Sequence, residues 1–182
     1  MFDFERQLQS ANTSKIVASE TVERSLEQRQ RDIYDSHRHR TFALAFYMSG
    51  NEITAETILT ETFVCAFRMA EEPDAQMIDA ALIEQLRQQY PLDELDTVPA
   101  SAAGSSLGAQ NVRRTDLEEA IQYLPTTERL IFLLHDVESY KPAMISEILN
   151  IPENQVQRAC ISARIRLRQA LVQVKAQGRE AA

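Results

Sequence analysis

Glycine, cysteine, tryptophan and long apolar runs are what this chain has least of. Four glycines in 182 residues leave little of the loop-rich turn chemistry that all-β folds need. Abundant Glu, Gln, Ala, Leu and Arg favour helix instead. The two cysteines, Cys65 and Cys160, are far apart on apolar helix faces and read as buried thiols, not a disulfide or a zinc site. His37, His39 and His135 lack ligand spacing, so no metal site and no cofactor is expected. There is no Gly-rich phosphate loop and no nucleophile motif, so an enzyme is not expected. Asp136 and Glu138 read as a solvated helix end. No run of about 18 apolar residues exists, so no membrane insertion is expected. The start, MFDFERQLQS, has acids where a signal peptide needs a basic opening, and a cytoplasmic location is the expectation.

What is present is uneven charge. The net charge of −8 is not spread evenly. Residues 51–99 hold eleven acids against Arg68 and Arg87, a local balance of −9, whereas 154–179 carry six cations and no acid. An acidic middle repels DNA phosphates and a basic end attracts them. Two modules with different partners follow, and if they pack together, the basic helix is expected to be hidden against the acidic segment.

The pattern predicts an all-α protein, two small helical domains joined by a flexible linker. Residues 1–18 form an N-terminal arm with weak periodicity. Ser19 is placed to cap a long helix that Gly50 ends, and its segment RDIYDSHRHR reads as a solvated face. Thr54 and Asp74 are placed to cap the next two helices, giving a first domain over 19–90. Residues 91–114, PLDELDTVPASAAGSSLGAQNVRR, lose all periodicity and read as the linker. The second domain, 115–182, opens at Asp116, and Thr127 is placed to cap its second helix, which runs on through Leu133 and Leu134.

Within that domain Ala143–Leu149 is a short amphipathic helix, Asn150–Glu153 is a turn containing Pro152, and a longer helix starts at Asn154. Val156, Cys160, Ala163, Leu167, Leu171 and Val174 share its inner face. Asn154, Arg158, Ile161 and Ile165 point outward, beside Gln155, Gln157 and Arg168. This is a helix-turn-helix whose basic second helix could lie in a DNA major groove.

The stretch from Leu117 to Leu171 resembles a bacterial RNA polymerase sigma factor of the extracytoplasmic-function type. The resemblance rests on Leu124-Pro125, Arg129, Phe132–Leu134, Ile145-Ser146-Glu147-Ile148-Leu149, and Ala163-Arg164 with Leu167-Arg168. In the first domain, Gly50-Asn51 followed by TAETILTETFVCAFR is similar to the family helix that grips the polymerase clamp. The resemblance implies a non-catalytic initiation factor that binds core RNA polymerase and reads promoter DNA at the −35 element. By position, Asn154, Gln155, Gln157 and Arg158 would approach DNA, with Arg164 and Arg168 on phosphates. Asn51, Glu56, Thr57, Thr60 and Glu61 would face the polymerase. An anti-sigma factor is the other partner the resemblance allows.

Two departures keep a second reading open. Ala159 and Ser162 stand where the family usually has basic residues. The segment DAQMIDAALIEQLRQQY offers only Arg87 and Tyr90 for −10 DNA, where the family carries Trp, further aromatics and several cations that stack on and hold single strands. The alternative is a degenerate sigma-like interaction module, binding an anti-sigma factor or modulating polymerase without melting promoters.

Overall fold

Gly50 is where the first helix must stop and the chain reverse. In the computed structural model its φ is +67°, a value that only glycine adopts without strain. Its N–H closes on Phe46 O at 2.7 Å, as helix ends of this kind do. The structure describes the backbone of residues 3–95 and 112–180, and the side chains of 25–95, 112–174 and 176. Among the described residues every regular element is helical, as the composition implies.

Helix α1 spans Asp3–Ser49, so Ser19 lies within it and the helix starts earlier than expected; the backbone runs on through the expected arm. Helix α2 spans Glu52–Met69. Its cap is Asn51, not Thr54. Asn51 Oδ1 accepts the Thr54 N–H at 3.0 Å, filling one of the donors a helix start leaves open. Helix α3 spans Ala75–Gln89, and Asp74 caps it as expected, accepting from Met77 N at 2.8 Å. α2 and α3 fold back on α1, burying Ile58, Phe63, Ala66, Ile78 and Leu82.

Helix α4 spans Arg114–Gln122, two residues ahead of Asp116. The Asp116 carboxylate serves from the first turn, accepting from Arg113 Nε at 3.1 Å. Helix α5 spans Thr126–Phe132. Thr127 is buried and is not its cap: its hydroxyl donates to Asp93 O at 2.9 Å, while the Asp93 carboxylate accepts the Thr126 N–H at 3.2 Å. The start of the expected linker is thus fastened to the second module, with Leu92 and Leu95 against its core; residues 96–111 of that linker lie outside the described residues. The Leu133–Val137 stretch, expected to continue α5, widens into a π-helical turn. Helices α6, Pro142–Leu149, and α7, Glu153–Glu180, complete the helix-turn-helix.

The two modules share one core. Leu44, Met48, Ala55, Ile58, Leu82 and Leu86 from α1–α3 belong to the same buried cluster as Leu130, Leu133, Ile145, Leu149 and Val156. Tyr47 of α1 packs on a second cluster formed by α4 and α7. Polar bonds seal the seam. Arg129 of α5 donates to Met48 O at 2.7 Å, Gln122 O at 2.5 Å, Gln122 Oε1 at 2.9 Å and Leu124 O at 3.0 Å. Gln122 Nε2 in turn donates to Tyr47 O at 2.9 Å. These carbonyls are the orphans at the C-terminal ends of α1 and α4, where a cation also meets the negative end of the helix dipole.

The packing corrects the electrostatic expectation. The modules do fold together, but apolar side chains carry the contact, and the outward face of α7 is left uncovered: Asn154, Gln155, Gln157 and Arg158 are exposed.

Two substitutions test the seam. Gly50→Ala would place a Cβ 2.9 Å from Gln122 Cδ at a left-handed backbone position. A loss of about 1–3 kcal/mol is therefore expected in urea unfolding. Arg129→Ala strands three carbonyls at once and should cost about 3 kcal/mol or more by the same assay. A loss below about 1 kcal/mol would mean that water satisfies these groups.

Candidate nucleic-acid interface

The turn between α6 and α7 sets the pose of the candidate reading helix. Pro142 occupies the first turn of α6, where its missing N–H costs nothing. Asn150 ends the helix in the left-handed region at φ 54°, a conformation common at helix C-termini. Ile151 N reaches back to Ser146 O at 3.2 Å. Pro152 then launches α7, its carbonyl accepting from Gln155 N at 2.8 Å and Val156 N at 3.1 Å.

From that start the first turns of α7 divide cleanly. Val156, Ala159, Cys160 and Ala163 are buried, and Asn154, Gln155, Gln157, Arg158 and Ile161 face out. The six inner-face residues read from the sequence are all buried. Ile165 is a correction: expected to point outward, it is 6% exposed. α4, α5 and α6 all contact α7, so its buried arc is wider than one stripe. The same width explains Ala159 and Ser162. Both are fully buried, so neither position could offer a cation to DNA in this fold.

Ser162 instead belongs to a buried polar group. Its hydroxyl donates to Glu128 Oε1 at 2.9 Å, and Arg166 Nε lies 3.1 Å from Glu128 Oε2. Glu128 is 1% exposed, and a buried carboxylate holds its charge only when a cation and donors meet it. The group ties α7 to α5 inside the core. Sequence reasoning missed it because Glu128 and Ser162 are 34 residues apart and each looks like an ordinary helix-surface residue.

The arginines offered for DNA differ in availability. Arg158 and Arg168 are exposed. Arg164 is exposed too, yet its guanidinium is engaged by Asp136, with Nε and Nη2 at 2.9 and 2.5 Å from Oδ1. The hydrogen bond to Asp136 pushes the Arg164 pKa up against the opposing effect of burial. Gln157 spends its amide on Glu153 at 3.1 Å, a bond on the same exposed face.

The first-module residues divide in the same way. Asn51, Glu56, Thr57, Thr60 and Glu61 are all exposed on α2. Asn51 is committed as the cap, and the Thr57 and Thr60 hydroxyls donate to Ile53 O and Glu56 O, each at 2.9 Å. Ile53 is 76% exposed and Val64 is 44% exposed, and the two recur along the same side at helical spacing. Arg87 and Tyr90, the two residues offered for −10 DNA, are both engaged inside the molecule. Arg87 donates to Ile148 O at 3.4 Å, and half-buried Tyr90 packs against the shared core, with burial pushing its phenol pKa up.

Residues 114–167, from the start of α4 into α7, match the family model described as sigma-70, region 4. No curated protein matches the chain. The matched segment contains the whole helix-turn-helix, and region 4 is the −35 element binding domain of sigma factors, so the match supports a sigma-factor-like DNA-binding role for the second module. Among the described residues no cluster of His, Cys, Asp or Glu could hold a metal ion, and no helix is long and apolar enough to cross a membrane.

The pairing of Arg164 makes a measurable prediction. Asp136→Asn should release the guanidinium, raise duplex affinity severalfold and steepen the salt dependence by about one phosphate contact. Arg158→Ala should weaken binding and flatten that slope by about one. Fluorescence anisotropy across a salt series reads both.

Proposed function

We propose that the protein is a transcription initiation factor of the extracytoplasmic-function sigma type. It binds core RNA polymerase through the exposed side of α2 and sets the first turns of α7 in the major groove of a −35 element. The observation that carries this reading lies in the segment matching sigma-70 region 4. There Asn154, Gln155, Gln157 and Arg158 stand exposed on a helix whose opposite side is locked into the core. Amide side chains pair with adenine edges and Arg with guanine or phosphate, so this set is suited to reading DNA. On α2, Ile53 and Val64 flank Glu56, Thr57, Thr60 and Glu61, the mixture of apolar anchors and polar surroundings that suits a protein partner. Such a protein works in the cytoplasm, where polymerase and promoter are, and an anti-sigma factor competing for either surface fits the same chemistry.

One observation favours the second reading, a sigma-like interaction module that does not melt promoters. α3 brings one cation, Arg87, and one aromatic near its end, Tyr90, and both are held inside the molecule. Nothing else on α3 supplies positive charge to a displaced strand.

Copurification with core polymerase, followed by run-off transcription from a promoter library, separates the readings. Binding with defined start sites is the expected result, and binding without transcripts would favour the second reading. A Glu56→Arg, Thr60→Arg double variant, folded by circular dichroism, should bind core at least tenfold more weakly, about 1.4 kcal/mol. Failure of the unaltered protein to bind core would overturn the first reading.

A further inference from the structure

We infer that Arg40, Asp79, Glu138 and Tyr140 form a latch that holds the two modules closed and withholds the inner face of α3 from any partner until it opens. The gating role rests on the polymerase-binding reading above; the closure itself does not.

The four side chains come from three separate parts of the chain. Arg40 on α1 donates through Nη1 and Nη2 to both Asp79 oxygens on α3, at 2.5 and 3.2 Å, and through Nε to Glu138. Tyr140 donates its hydroxyl to Asp79 Oδ2. Arg40 is one-third exposed and both carboxylates are less so, at 17% and 14%. Burial opposes the Arg40 charge, yet the bonds to Asp79 and Glu138 more than offset it and raise its pKa. One cation thus ties α1 and α3 of the first module to the turn that precedes α6 of the second.

The backbone of that turn is shaped for the purpose. α5 widens into the π-helical turn Leu133–Val137, and Ser139 follows in the left-handed region at φ 61°. Departures of both kinds recur at functional positions and persist only where the surroundings hold them. Here they turn Glu138 and Tyr140, on either side of Ser139, onto the same two first-module residues. The helix-turn-helix itself needs neither bond: α6 is started by Pro142 and ended by Asn150.

Closure falls on one surface and spares the other. α3 lends Ile83 and Leu86 to the shared core and Arg87 to Ile148 O. The outward turns of α7 and the exposed side of α2 remain open. The closed form can therefore meet a partner through α2 or α7, while a partner that goes on from α2 to the inner face of α3, as core polymerase would, binds fully only once the modules part. A partner that takes α3 shifts the population toward the open form by as much as it prefers that form.

The test uses the full chain in a Cys65→Ser background, with spin labels at Glu71→Cys on the first module and Gln173→Cys on the second. Double electron–electron resonance should give one narrow distance for the unaltered latch. Glu138→Gln with Tyr140→Phe should add a broad, longer population and raise core polymerase affinity at least threefold. Tyr140→Phe alone, the milder change, should give a smaller opening if the double variant does not fold. An unchanged distance distribution in the folded variants would overturn the latch. Opening without any gain in core affinity would overturn its gating role. Opening in a protein that never binds core would overturn the sigma reading and leave the closure standing.

Discussion

The Arg129 guanidinium seals the seam between the two halves of this chain. Arg129 is placed where the last carbonyls of α1 and α4 converge, and it satisfies one from α1, one from α4 and one from the turn that follows. Left unpaired in a seam of this kind, such carbonyls would each carry a desolvation cost comparable to a lost hydrogen bond. Burial lowers the Arg129 pKa, the electrostatic counterpart of that same desolvation. The arrangement persists because a permanently charged fork with five donors can meet several acceptors at once, which no lysine could do. Around it Gly50 admits Gln122, Gln122 reaches Tyr47, and the apolar contacts of Met48, Leu130 and Ile131 follow.

From that seam comes an asymmetry between the two halves. Closing the modules uses α3, whose inner residues enter the shared core, and leaves α7 free on its outward side. The acidic balance of residues 51–99 therefore plays a different part from the one charge alone suggests. It does not neutralise the basic helix across the seam. Asp79 is turned instead to Arg40, and Asp93 to the start of α5. From that acidic segment, Asp93 and Glu94 line a cleft with Gln155 and Arg158 at the start of the candidate reading helix.

Local structure was legible in the sequence because local rules govern it. Gly50, Asp74 and the Asn150–Pro152 turn each act within a few residues, and each is found where the periodicity breaks. The inner stripe of α7 was legible for the same reason. Long-range pairing was not. Arg40 and Glu138 are 98 residues apart, and both sat in segments whose mixed charges read as solvated surface. Caps failed where a competing partner won: Asn51 outreached Thr54, and the Thr127 hydroxyl was drawn to Asp93. Ile165 was misplaced because a projection onto one face cannot know that three helices surround α7. For the candidate site, the exposure of Asn154, Gln155, Gln157 and Arg158 was readable, while the engagement of Arg164 by Asp136 depended on a π-helical turn with no clear sequence mark.

In the closed form the two halves unfold as one cooperative body around the Arg129 seam. Native-state hydrogen exchange across a denaturant series tests it most directly, because it resolves the opening free energy of each helix. The expected result is that core amides near Leu44, Leu82 and Leu130 share the highest protection and merge into one opening transition. Loss of protection in α4–α7 at clearly lower denaturant, with α1–α3 still closed, would contradict it.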